Sequence, residues 1–219
     1  MRFENPAYLL FFLALLTIAP IFLMMLTSFV KISIVFSILR SALGTSQVPP
    51  NIVIMGISLV LTLYIMSPVG ERIKTSMENE SVISLKADAF TIIKKGWNAG
   101  MSPLKQFLSE NSHPDISAMF WKLAGEVRSK KNMPLPPEDS FIVLIPSFMI
   151  SELKEAFEMG FVIYLPFLVF DMLISSILVS MGMHMLSPVT VSLPFKLLLF
   201  VTVNGWELLS KSLVLGYRV

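Results

Sequence analysis

Cysteine is absent from the 219 residues, which excludes disulfides, thiolate metal sites and cysteine nucleophiles together. Histidine occurs only at His113 and His184. Zinc and transition-metal sites draw several His, Cys or carboxylate ligands from close spacing, so no metal is expected. There is no GxSxG elbow, no glycine-rich phosphate loop ending in Lys-Ser/Thr, and no pair of membrane aspartates. The chain is therefore not expected to be an enzyme, and nothing in it implies a cofactor. Charge of one sign is also not in excess. Seventeen basic and 15 acidic side chains leave a net charge of +2, too weak a field to attract nucleic acid.

What is present is apolar sequence. Hydrophobic residues make up 54% of the chain, and a mean hydropathy of +0.74 lies above that of soluble domains, which marks a membrane protein. Of the 32 charged residues, 19 fall between Glu71 and Asp139, so a polar insert separates two apolar blocks. Three segments follow: an N-terminal apolar helical hairpin at 1–70, a polar helical insert at 71–140, and C-terminal apolar helices at 141–219. The expected fold class is all-α.

Tyr8 to Val30 is uncharged over 23 positions, long enough to cross a bilayer, with a bend expected at Pro20. It exceeds the apolar run of a signal peptide and reads as a retained helix. Leu43-Gly44-Thr45 and Pro49-Pro50-Asn51 mark a sharp connection to a second apolar helix, expected to stop at Pro68-Val69-Gly70. Arg40 at that bend favours a cytoplasmic location for it. In the insert, Ile116, Met119, Phe120, Leu123 and Val127 recur at helical spacing after a turn at His113-Pro114, while a second turn is expected around Gly96 to Gly100.

Beyond the extended Pro134-Leu135-Pro136-Pro137, Asp139 or Ser140 can cap a helix starting near Phe141. Charges then interrupt the apolar run at Glu152, Lys154, Glu155, Glu158 and Asp171, a pattern that lipid would not tolerate on an isolated helix. Lys154 and Glu158 have i,i+4 spacing, as do Glu207 and Lys211. A hairpin centred near Met185 brings Asp171 within about one helical turn of Lys196, so an ion pair within or between subunits is possible. Such charges either fix the register of packed helices or form a proton relay; a carrier using Asp171, Lys196 and Glu152 is the alternative function. Carriers commonly show related halves, and no internal repeat is present here.

The most distinctive stretch is Met181-Gly182-Met183-His184-Met185, within an uncharged run from Met172 to Phe195. Flexible, polarizable thioethers can fill core gaps or seal an opening of variable shape. His184 can titrate or simply take a polar turn position.

Several ordered stretches carry a resemblance: Leu26-Thr27-Ser28-Phe29-Val30-Lys31-Ile32, Leu39-Arg40-Ser41-Ala42-Leu43-Gly44, Ile65-Met66-Ser67-Pro68, Ile145-Pro146-Ser147-Phe148, Ser151-Glu152-Leu153-Lys154, and Ser192-Leu193-Pro194-Phe195-Lys196. With the methionine turn, they make the chain similar to the FliP/SctR proteins of the type III secretion export gate. The resemblance implies a bacterial inner-membrane subunit that assembles as a ring-like or helical oligomer. In the family this is a homo-pentamer with two other small membrane proteins, SctS/FliQ-like and SctT/FliR-like, and it passes unfolded export substrates. It further implies that Met181, Met183 and Met185 are gasket residues at a central constriction. His184 departs from more methionine-rich versions of that turn and would make the seal pH-sensitive. The assembled complex, including the insert, would lie largely on the periplasmic side, where the charges at Glu152 to Asp171 meet neighbouring subunits. The start at Met1-Arg2-Phe3, without a clear cleavable leader, resembles the virulence branch more than the flagellar one.

Overall fold

A computed structural model describes residues 24–45, 48–81 and 89–218, together with Leu10, Leu13, Thr17, Ile18, Pro20 and Phe22; at 79–81 and 89–99 it describes the backbone alone. Among the described residues there are seven helices and no strand, as an all-α protein requires. They are α1 (Phe29–Ala42), α2 (Asn51–Ser81), α3 (Ala89–Glu110), α4 (Pro114–Ser129), α5 (Phe141–Ser180), α6 (Pro188–Thr202) and α7 (Gly205–Leu215). The expected span from Tyr8 to Val30 lies mostly outside the described residues. Its described end breaks at Leu26–Ser28, so α1 begins separately, just before Lys31.

α1 is the central element. Ile32, Val35, Phe36 and Leu39 recur at helical spacing and are all buried, packed mainly against α5 and also against α2. Gly160 of α5 permits this approach: a Cβ there would stand 2.3 Å from Ile38 Cδ1. α1 ends where Gly44 turns left-handed at φ +77, beside Val189 of α6, whose Cγ1 would be 2.9 Å from any Cβ at position 44. Both the backbone conformation and the space call for glycine.

α2 does not stop at Pro68; it runs on to Ser81. Proline removes the amide that would have bonded to the Tyr64 carbonyl. The Ser67 hydroxyl donates to that carbonyl instead, at 2.8 Å, and the helix continues. The turn expected around Gly96 to Gly100 is also absent, because α3 passes through it. The His113-Pro114 turn is present and opens α4.

The charged interruptions do not break α5, which is one helix of 40 residues containing Pro146 and Pro166. At 1.5 Å per residue it is about 60 Å long, twice the ~30 Å of a bilayer core. Ser140 takes its N-cap position, but its hydroxyl makes no cap bond, and Asp139 pairs with Lys105 at 3.0 Å instead. Among the described residues two helices, α2 to Glu78 and α5, are long and apolar enough to cross a membrane; α6 and α7, bent by 60°, make a third candidate if taken as one span.

Candidate functional site

The methionine turn forms at the far end of α5 through a paired-carbonyl C-cap. The Met183 amide donates to the Leu178 carbonyl at 2.9 Å and the Gly182 amide to the Val179 carbonyl at 3.0 Å, with Gly182 left-handed at φ +73. Ser187 then precedes Pro188, whose fixed φ suits the first position of α6. The three methionines do not fill a core. Met181 is 66% exposed, Met183 43% and Met185 99%, and His184 is exposed between them. An uncharged tip carrying three thioethers is a surface that one chain leaves uncovered.

Two buried charge clusters brace the helices behind this tip. In the first, Lys196 on α6 donates to Asp171 Oδ2 on α5 at 2.7 Å and to the Ala42 carbonyl of α1 at 3.0 Å. Ser192 donates to the other Asp171 oxygen. The hairpin geometry therefore brings Asp171 and Lys196 together within one subunit. Lys196 is only 1% exposed, and both of its hydrogen-bond partners are oxygen acceptors, one of them a carboxylate, which is what a buried ammonium requires.

The second cluster lies toward the other end of α5. Lys31 of α1, 2% exposed, meets Glu152 at 3.1 Å and Glu155 at 2.7 Å. Tyr217 donates to the second Glu152 oxygen, and its ring lies under Lys31 Nζ at 3.9 Å. His113 Nε2 stands 3.2 Å from Glu155 at the half-buried rim, within ion-pair distance but without hydrogen-bond geometry. Glu152 and Glu155 thus have partners inside the chain itself. Lys154 and Glu158 pair along the exposed face at 3.9 Å. Glu207 is exposed, and among the described residues no ion pair joins it to Lys211.

The sequence does not mark Lys31, Tyr217, His113 and Ser192 as the partners of these carboxylates. Lys31 carried a usable signal: it and Arg40 are the only charges between Glu4 and Glu71, and a lone cation in an apolar helix needs a carboxylate. Tyr217 carried none. Glu152 and Asp171 are 19 positions apart on one helix, about 28 Å, and each is bound to its own lysine. They do not form one relay. Among the described residues, no group of His, Asp and Glu is placed to hold a metal ion.

The sequence of the whole chain supplies the remaining observation. A model of the FliP family matches residues 12–213. The chain belongs to the FliP family. Within this family it is similar to the Yop proteins translocation protein R of Yersinia pestis, 42% identical over 209 residues that cover 95% of each chain. Similarity to the virulence protein YscR of Salmonella typhimurium is also 42%, over 215 residues and 98% of each. The flagellar biosynthetic protein FliP of Bacillus subtilis is 39% identical over 216 residues, 98% of this chain and 93% of the relative. The FliP family match includes α1 through α6, both charge clusters except Tyr217, and the methionine turn.

Proposed function

We propose that this chain is a structural subunit of a type III protein export apparatus in the bacterial inner membrane, and not an enzyme. It associates with further copies of itself, as a pentamer in the family it resembles, and with two other small membrane proteins of the SctS/FliQ and SctT/FliR kinds. Together they form the entrance channel for unfolded proteins. Met181, Met183 and Met185 from each copy form a ring that closes the channel. A hydrophobic constriction excludes ions and water by dewetting, and unbranched thioethers can yield to substrate side chains of many shapes.

The observation that carries this reading is the exposure of all three methionines on one uncharged tip, in a chain whose buried charges are satisfied internally. A helix about 60 Å long with its carboxylates neutralised inside the subunit can stand among neighbours outside the lipid plane. This supports an assembly held largely on the periplasmic side, with the insert at 71–140 periplasmic. The virulence branch is preferred. His184 places a titratable ring beside the seal.

Purification from native membranes followed by mass and stoichiometry measurement tests the proposal. A multi-copy complex with two further small membrane proteins is expected. A lone chain that moves a small solute unaided in liposomes would establish the carrier instead.

A further inference from the structure

Three parts of the fold meet at Tyr217. Its ring stacks on Phe107 of α3, 6.1 Å between centroids and 16° between planes, while Lys31 of α1 sits over the ring and Glu152 of α5 accepts from its hydroxyl. The next residue, Arg218, is held through its backbone: its N–H donates to Asn111 Oδ1 and its carbonyl accepts from Asn111 Nδ2, both at 3.0 Å. Asn111 lies in the corner between α3 and α4. On the opposite side of the same corner, the His113 amide donates to Ser151 Oγ of α5 at 2.9 Å. The corner is thus clamped from two sides, whereas α4 beyond it has no buried residue.

We infer that Tyr217 and Arg218 form a clasp that couples the position of the insert to the buried Lys31–Glu152 pair. Glu152 is fully buried, and each of its oxygens has one partner, Lys31 for one and Tyr217 for the other. Swinging the insert away withdraws Asn111 and Phe107 from the 217–218 segment and with them the support of the Tyr217 hydroxyl. Glu152 then keeps a single partner in the interior, which weakens its pair with Lys31 because partly satisfied buried networks are costly. In the other direction, losing Lys31 removes the cation over the Tyr217 ring and losing Glu152 removes the acceptor of its hydroxyl, so either loss takes away one of the contacts that hold Tyr217 in place. The insert and the start of α1 therefore open and close together, although Asn111 and Lys31 share no bond.

Hydrogen exchange on the full chain in detergent micelles tests this, read over 28–36 and 104–113. Asn111→Ala removes both exposed bonds to the Arg218 backbone and is expected to speed exchange in both windows by about tenfold, the effect of losing two modest hydrogen bonds. Tyr217→Phe, which keeps the ring and loses the donor, is expected to do the same. Arg218→Ala should change neither window, since only its backbone is used. Faster exchange confined to 104–113 in Asn111→Ala overturns the coupling. If Tyr217→Phe opens the whole chain, the Asn111→Ala result decides alone.

Discussion

Lys196 donates a hydrogen bond to the carbonyl oxygen of Ala42, 154 positions away, at the C-terminal end of α1. Helix C-termini attract cations through their unpaired carbonyls. Position 196 thus faces two separate reasons for a positive charge, the Asp171 carboxylate and the end of α1.

Charge exchange between Asp171 and Lys196 will therefore fail to restore full stability. Asp171→Asn alone leaves Lys196 buried and poorly compensated, a loss of about 3 kcal/mol or more. Asp171→Lys with Lys196→Glu rebuilds the pair but turns a carboxylate toward the Ala42 carbonyl. The apolar pair Asp171→Leu with Lys196→Met is expected to recover more, as measured by thermal unfolding in micelles. Complete rescue by the reversal would mean that the Ala42 contact adds nothing.

Gly160→Ala is expected to change sign with its background. In the native chain the added methyl meets Ile38 at Cδ1 and Cγ2 and also at Cβ, 3.3 Å away, which no rotamer change moves, so a rotamer change alone does not clear it. The clash costs about 1–3 kcal/mol, against about 1 kcal/mol gained in helix propensity. With Ile38→Ala present only the Cβ of residue 38 remains near, 3.3 Å away, a contact that a shift of a few tenths of an ångström relieves, and Gly160→Ala should stabilise. A double-mutant cycle in denaturant reads the difference.

Asp139 titrates below the usual carboxylate range, because Lys105 hydrogen-bonds to it and adds its positive charge. The lowered value means that the pair's small contribution is present above the ordinary carboxylate pKa and disappears as pH falls through the depressed one. Lys105→Ala should move the Asp139 midpoint upward in a carboxyl-carbon NMR titration. Global stability should barely change, since the carboxylate is exposed. An unmoved midpoint would remove Lys105 as the cause.

Replacing Met181, Met183 and Met185 together with Ala should raise small-ion leakage through the assembled complex several-fold, because a wider constriction wets more readily. Leakage is read as membrane conductance, with assembly verified on native gels. An intact complex with unchanged conductance would eliminate the gasket.

The sequence carried the Asp171–Lys196 pair because both residues flank one uncharged hairpin, and counting outward from Met185 sets their separation. It did not carry Lys31–Glu152: 121 positions lie between them, and periodicity within a helix says nothing about which distant helix covers it. Sequence punctuation misplaces helix ends where the chain compensates for it locally. Pro68 looks like a stop until Ser67 is seen to occupy the freed carbonyl. Gly96 and Gly100 look like a turn because isolated glycine lowers helix propensity, a weak preference that the surrounding helix overrides. The methionine turn was legible as a unit, but its exposure was not, since an apolar run has the same composition in a core as on an uncovered tip.

The continuity of α5 gives the subunit mechanical leverage. From Glu152, where the insert and α1 are fastened, to Ser180 at the edge of the methionine turn is 28 positions, an arm of about 42 Å. A tilt of about 5° at the fastened end sweeps the turn through about 4 Å on that arm, on the scale of a side-chain width. Small repacking around Lys31 and Glu152 is thereby magnified at the tip, where Met185 has the least to hold it back.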